Sequence, residues 1–406
     1  MFKSINGFYQ PSFFYMNLDT DKLLTEIYDT DDESTFIHEY IHMLQDISLI
    51  CTRAMLWQNV NNFRAFSKEI RDNGNGNRPI RLTSKNDMVN EKLYAYLWGE
   101  YSFFDSAIIE NIEIKETDLG DGIKTKEIIL YLIENNGNRS IYKIGRRDFL
   151  ECMAFMIENY IFPSVVLPDF PYKSIWKILE YYKIPVSNYI VSQVCELALS
   201  SYHPVEALLI FLDRTNKKLQ TNDIFDAMYG NIVVKNYDGT FTNKINNDKK
   251  AFAESKHMMQ DWFKSPIVAN IGDWLTKILE LGENFRISDC VYISNIINNS
   301  KEDARKLIFQ HVVTTGVPVI FNRQHIAQCI DPTKTNGNTF LLIALDELYS
   351  YCKDTRSYCN LINFCKKSNE QLVNTNCCCD VMKQIEGNRL CPIGVWLKVF
   401  GFQNLK

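Results

Sequence analysis

From residue 37 to residue 50 the apolar side chains Ile37, Tyr40, Ile41, Leu44, Ile47 and Ile50 recur at three- and four-residue spacing, the period of one helical face. Thr30 and Glu33 have the T-x-x-E spacing of a capping box, which predicts a helix start just upstream of that stripe. The stretch 73–90, rich in Asn, Gly, Lys and Arg, reads as an exposed loop. Then the period changes. Residues 107–114 (AIIENIEI), 126–134 (KEIILYLIE) and 140–144 (SIYKI) alternate or run apolar, with DLGDG and NNGN as turn signals between them. They predict a small antiparallel sheet of two or three strands. After Gly145 the helical period returns, with Phe149, Met153, Met156 and Tyr160 on one face. Pro163, Pro168 and Pro171 break the chain. Helices are expected at 173–183, 187–200, 204–213, 247–264, 268–281, 286–298, 301–313 and 340–353, with a short strand in TGVPVIFN.

Composition narrows the class. Hydrophobic residues make up 46% and charged residues 23% of 406, ordinary for a folded chain; the length predicts two or three domains, and the division expected is 1–215 and 216–406. Lys and Arg total 44 against 49 for Asp and Glu, so the stripe of positive charge that nucleic acid requires is not expected. The first residues lack the pattern of a signal peptide, and no apolar run approaches the roughly 18 residues of a membrane span. A cytoplasmic location follows as an expectation, and in a reducing compartment the twelve cysteines are expected as thiols or metal ligands.

The stretch STFIHEYIHMLQD carries the chemistry. On a helix, His38 and His42 stand one above the other and can present ring nitrogens to one ion. Glu39, about 100° around the helix, falls beside that ion, within reach of a water it would activate. Helical H-E-x-x-H is the pattern of zinc metallopeptidases, with the glutamate as general base. A catalytic zinc takes a third protein ligand. Gln45 and Ser48 stand where a further Gly and His would continue one version of the motif, and the remaining histidines share no pattern. A glutamate from a second helix is the other common solution. Glu151 is the leading candidate, and Glu100, in YLWGEYSFFDS, is the rival. Gln45 and Asp46 sit one turn beyond His42, where either can orient an imidazole or face solvent. Tyr160 and His203 are conceivable donors to a developing oxyanion.

The segment ECMAFMIE, residues 151–158, resembles the glutamate helix of the gluzincins, in which E-x-x-A supplies the third zinc ligand. HEYIHMLQ and ECMAFMIE together resemble a largely uncharacterised group of bacterial H-E-Y-x-H-x-x-Q proteins. That resemblance implies zinc on His38, His42 and Glu151, with Glu39 as base. The N-E-x-x-S-D form of the thermolysin-like motif is missing. The expected fold is α+β and predominantly helical: a zincin-like catalytic domain with a small antiparallel sheet, followed by a helical C-terminal region. The expected function is zinc-dependent hydrolysis of a protein or peptide substrate; the competing expectation is a non-catalytic interaction protein clamped by zinc. At the C-terminal end, Cys352, Cys359, Cys365, Cys377, Cys378, Cys379 and Cys391 could include a second zinc site. No C-x-x-C pair occurs among them, so reduced, partly buried thiols are expected there, and a thiol-based sensor is a third functional class.

Overall fold

The computed structural model describes residues 6–73, 79–80, 92–93, 95–118, 124–214, 224–230, 232–235, 241–334, 338–368, 370–386 and 391–401. Most of the loop expected at 73–90, the DLGDG turn beyond Asp118 and the domain boundary at 215–216 lie outside these residues.

The predicted first helix, α1, spans Asp32–Ser48. Its burial exceeds what the stripe implies: every residue from Thr35 to Ser48 is buried, polar ones included. The helix stops where Leu49 turns extended, so Ile50 belongs to the next helix, α2 (Ile50–Asn73). The expected capping box does not form. Thr30 donates its hydroxyl to Ile27 O, while the Glu33 carboxylate accepts from Asp29 N and pairs with Arg305.

Two short strands precede α1. β1 (Gly7–Gln10) and β2 (Tyr15–Leu18) form a hairpin, and β2 continues in parallel to β8 (Val317–Phe321), the strand expected in TGVPVIFN. Antiparallel β9 (Ala327–Ile330) completes the order β1-β2-β8-β9. The predicted meander forms as β3 (Ala107–Asp118), β4 (Lys124–Glu134) and β5 (Arg139–Lys143), with β4 central. A two-stranded ribbon pairs β6 (Val233–Lys235) with β7 (Phe241–Asn243).

Helices account for most of the rest: α3 (Arg146–Ile161), α4 (Ser174–Tyr181), α5 (Asn188–Leu199), α6 (Pro204–Arg214), α7 (Lys244–Trp262), α8 (Ala269–Ser288) and α9 (Lys301–Thr315). They are followed by α10 (Phe340–Lys353) and the short α11 (Ile362–Ser368), α12 (Asn376–Cys379) and α13 (Pro392–Val399). The chain is a mostly helical α+β protein. A helix break was expected between 281 and 286; instead α8 runs through, and only a 3-10 turn at Ser294–Asn298 follows. Gly282 falls within the expected break. A Cβ there would sit 2.1 Å from Ile47 O, so the residue serves close contact with α1 rather than termination.

Two further glycines position the next helix. Gly99, at φ +98°, crosses Gly145 so tightly that a Cβ on Gly145 would lie 2.3 Å from Gly99 N. This crossing sets the start of α3 directly behind the segment 99–104. Asp148 anchors the same turn by accepting from Gly145 N at 2.9 Å and from the Tyr142 hydroxyl at 2.9 Å. One apolar cluster then runs from Tyr9 to Leu397 and takes in both faces of α1 and α3.

Candidate metal centre

α1 buries two histidines, two glutamates, a glutamine and an aspartate, and buried polar groups are costly unless each finds partners. α3 packs against α1 and supplies several. His38 Nδ1 lies 2.9 Å from Glu158 Oε2, and its Nε2 lies 3.2 Å from Glu151 Oε2. His42 Nδ1 lies 2.8 Å from Gln45 Oε1, and its Nε2 lies 3.5 Å from the same Glu151 oxygen. Gln45 is fixed in turn by donating to Leu150 O at 3.0 Å. Both histidines therefore spend one nitrogen on an orienting partner and turn the other to Glu151.

The ligand atoms of His38, His42 and Glu151 lie within 4.8 Å of one another, and all three residues are buried. This donor set fits a divalent transition metal such as zinc: two imidazole nitrogens and a carboxylate oxygen, with the opposite ring nitrogens held by an amide and a carboxylate. Charge agrees with geometry. Burial opposes ionisation of Glu151, yet the two histidines hold its carboxyl well below the usual range. Burial also opposes the imidazolium of His38, but Glu158, Glu151 and Glu39 outweigh it and raise its pKa well above the ordinary histidine value. The pocket thus concentrates negative charge that a cation would neutralise.

Glu39 is 1% exposed, and its charge acts on both His38 and Tyr172. Tyr172, 2% exposed, sets its ring 5.8 Å from that of His38 at 67°. Burial first, then Glu151 and Glu39, raise the pKa of its hydroxyl, so it remains a proton donor. Phe103 lies outside it, its ring 6.4 Å from Tyr172, and Arg147 stacks over Phe103 while donating to Glu100 O. The segment 99–104 is therefore held against Tyr172 and Arg147 beside the cluster.

The other sequence candidates go elsewhere. The Glu100 carboxylate accepts from Tyr101 N and the Ser102 hydroxyl within its own loop, so of the two candidates Glu151 is the one that meets both histidines. Tyr160 donates to Asn299 O at 2.6 Å, and His203 lines a small cavity with Tyr96, Glu127 and Glu206. Asp46 does not reach an imidazole; it accepts from Tyr9 and Ser12 N, and Tyr9 stacks on His42 at 6.5 Å. Sequence reasoning missed Glu158 and Tyr172. Glu158 left a signal, since seven residues after Glu151 is two helical turns and the same face. Tyr172 left none among 21 tyrosines. Comparison with protein-family models, with curated proteins and with solved structures gives no match.

Proposed function

We propose that the protein is a zinc-dependent peptidase of zincin-like architecture, hydrolysing peptide bonds in a protein or peptide substrate. The supporting observation is the convergence of both Nε2 atoms on Glu151, each histidine being oriented from behind by Glu158 or Gln45. Zinc on these three residues supplies Lewis acidity, lowering the pKa of water to about 7 and polarising a carbonyl oxygen.

The chain's own groups do the rest. Glu39, next to His38 and shielded from solvent, takes the proton of the attacking water and passes it to the leaving amine. The Tyr172 hydroxyl, kept protonated beside three carboxylates, donates to the oxyanion that develops on the carbonyl. Glu158 and Gln45 hold the imidazole planes still. Because His38, His42, Glu39 and Glu151 are 2% exposed or less, substrate entry requires the 99–104 segment to lift, with Gly99 as its pivot.

That same burial favours a second reading, a zinc clamp that joins α1 to α3 without catalysis. Glu39→Gln separates the two, because it keeps the ligands and removes the base. In the peptidase, both forms hold one zinc at this centre, wild type cleaves an unstructured peptide library and the variant does not. Zinc in both forms with cleavage by neither would establish the clamp.

A further inference from the structure

Arg147 stands one turn before Glu151 on α3, and at about 100° per residue positions 147, 151 and 158 share one face of that helix. Helix neighbours four residues apart hold their Cβ atoms about 5–6 Å from one another. Arg147 therefore starts beside the metal centre. Its charge also reaches the proposed oxyanion donor: burial, Glu151 and Glu39 raise the pKa of the Tyr172 hydroxyl, and Arg147 acts against them.

The residue is 3% exposed, and a buried charge is costly unless it is paired. Among the described residues Arg147 makes no ion pair. Its one hydrogen bond runs from Nη1 to Glu100 O at 3.0 Å, a neutral acceptor. Otherwise the guanidinium lies over the rings of Phe103 and Tyr101, 4.4 and 6.0 Å from their centroids. The neighbouring carboxylates are committed elsewhere. Glu100 turns its own to Tyr101 N and the Ser102 hydroxyl, and Asp148 accepts from Gly145 N and the Tyr142 hydroxyl. Arg286, 2% exposed, instead meets the carboxylate of Glu196 at 3.3 Å. A guanidinium carries five N–H donors in a planar fork that matches a carboxylate. In Arg147 a single nitrogen of that fork has an acceptor among the described residues.

Glu100, Tyr101 and Phe103 all belong to the 99–104 segment, whose lifting the peptidase reading requires. That movement takes the Glu100 carbonyl and both rings from the guanidinium at once. An anionic group of the entering substrate can then occupy the same fork. Its position along the substrate follows from reach: one residue of extended chain advances about 3.3–3.6 Å and a charge-assisted hydrogen bond adds about 2.7–2.9 Å, which together match one helical turn.

We propose that Arg147 binds a substrate carboxylate lying one residue from the scissile bond. Two groups carry that chemistry: the free α-carboxylate at the end of a chain, which makes the enzyme a carboxypeptidase, and the side chain of Asp or Glu. The role as a substrate site rests on the peptidase reading, whereas the affinity for a carboxylate does not.

The test compares zinc-loaded wild type, Arg147→Met and Arg147→Lys on one peptide in three forms: with a free C-terminus, with an amidated C-terminus, and amidated with glutamate as the last residue. Wild type is expected to favour the free acid over the plain amide about 10- to 100-fold in kcat/KM. Arg147→Met should level the two, and Arg147→Lys should keep part of the difference. A preference for the glutamate amide that disappears in Arg147→Met assigns the site to an acidic side chain. Equal cleavage of all three forms by wild type, or a preference that survives in zinc-loaded Arg147→Met, would overturn the proposal and leave the peptidase standing. Should Arg147→Met not fold, an acid-to-amide ratio unchanged in Arg147→Lys overturns it. Binding decides the matter where no peptide is cut: N-acetylphenylalanine, titrated by NMR, should bind zinc-loaded wild type about 10- to 100-fold more tightly than Arg147→Met. That result without cleavage removes the peptidase and keeps the carboxylate site; equal affinities remove the site.

Discussion

Each histidine of α1 has two ring nitrogens, and what holds the rear one decides how well the front one can bind. Glu158 and Gln45 do that holding. Glu158→Gln and Gln45→Ala are therefore expected to weaken zinc binding about 10–100-fold, measured by competition with a chromophoric chelator, whereas Glu151→Gln removes a ligand outright. If the proposed peptidase mechanism holds, Tyr172→Phe is expected to lower kcat about 100- to 1000-fold while KM changes little, because in that mechanism its hydroxyl acts on charge that appears only in the transition state. Tyr160→Phe, on the far side of α3, should leave kcat as it was; equal losses in both would remove Tyr172 from the mechanism. At this scale the histidines and Glu39 were legible because helical spacing alone puts their side chains on definite faces, whereas Glu151 was singled out through the resemblance of residues 151–158 to a gluzincin glutamate helix, with Glu100 left as its rival. Tyr172 was not, since it arrives from the turn before α4.

For the elements, the deciding feature is that α1 is interior on all sides. An apolar stripe reports one buried face, and nothing in the local pattern revealed that its polar face is covered too. That cover comes from α3 and α8, and α8 approaches closely enough to need Gly282. Gly282→Ala is expected to cost about 1–3 kcal/mol of stability by forcing α8 away from Ile47, seen as a lower midpoint in chemical denaturation. An unchanged midpoint would mean that α8 does not press on α1. The helix break expected between 281 and 286 spans this glycine: inside a helical pattern a glycine is compatible with either an end or a close neighbour, and only the contact with Ile47 distinguishes them.

For the whole molecule, the N-terminal hairpin and the C-terminal half share structure. β2 pairs with β8 across some 300 residues, and Asp346 of α10 accepts from Gln10 and from the Tyr15 hydroxyl. Burial pushes the Asp346 carboxyl up from 3.8 to about 6. The sign follows: the folded state holds this proton more tightly, so its contribution is complete below pH 3.8 and is lost as pH rises through about 6. Each pKa unit is worth about 1.4 kcal/mol. Asp46 and Asp148, raised to about 7 by burial, act in the same direction. Asp346→Asn is accordingly expected to narrow the stability difference between pH 4 and pH 8, measured by denaturation at both. A difference as wide as in wild type would show that Asp346 is already ionised in the fold.

Sequence alone determined what depends on neighbours along the chain: the helix carrying His38, Glu39 and His42, the β3–β5 meander, the α3 helix carrying Glu151, and the strand in TGVPVIFN. These follow from spacing and turn chemistry, which act over a few residues. Tertiary structure decided that Glu151 rather than Glu100 meets the histidines, that Glu158 and Tyr172 join them, and that β2 finds β8. Those outcomes rest on contacts between segments far apart in the chain, where many pairings satisfy the local pattern and only packing of the whole selects one.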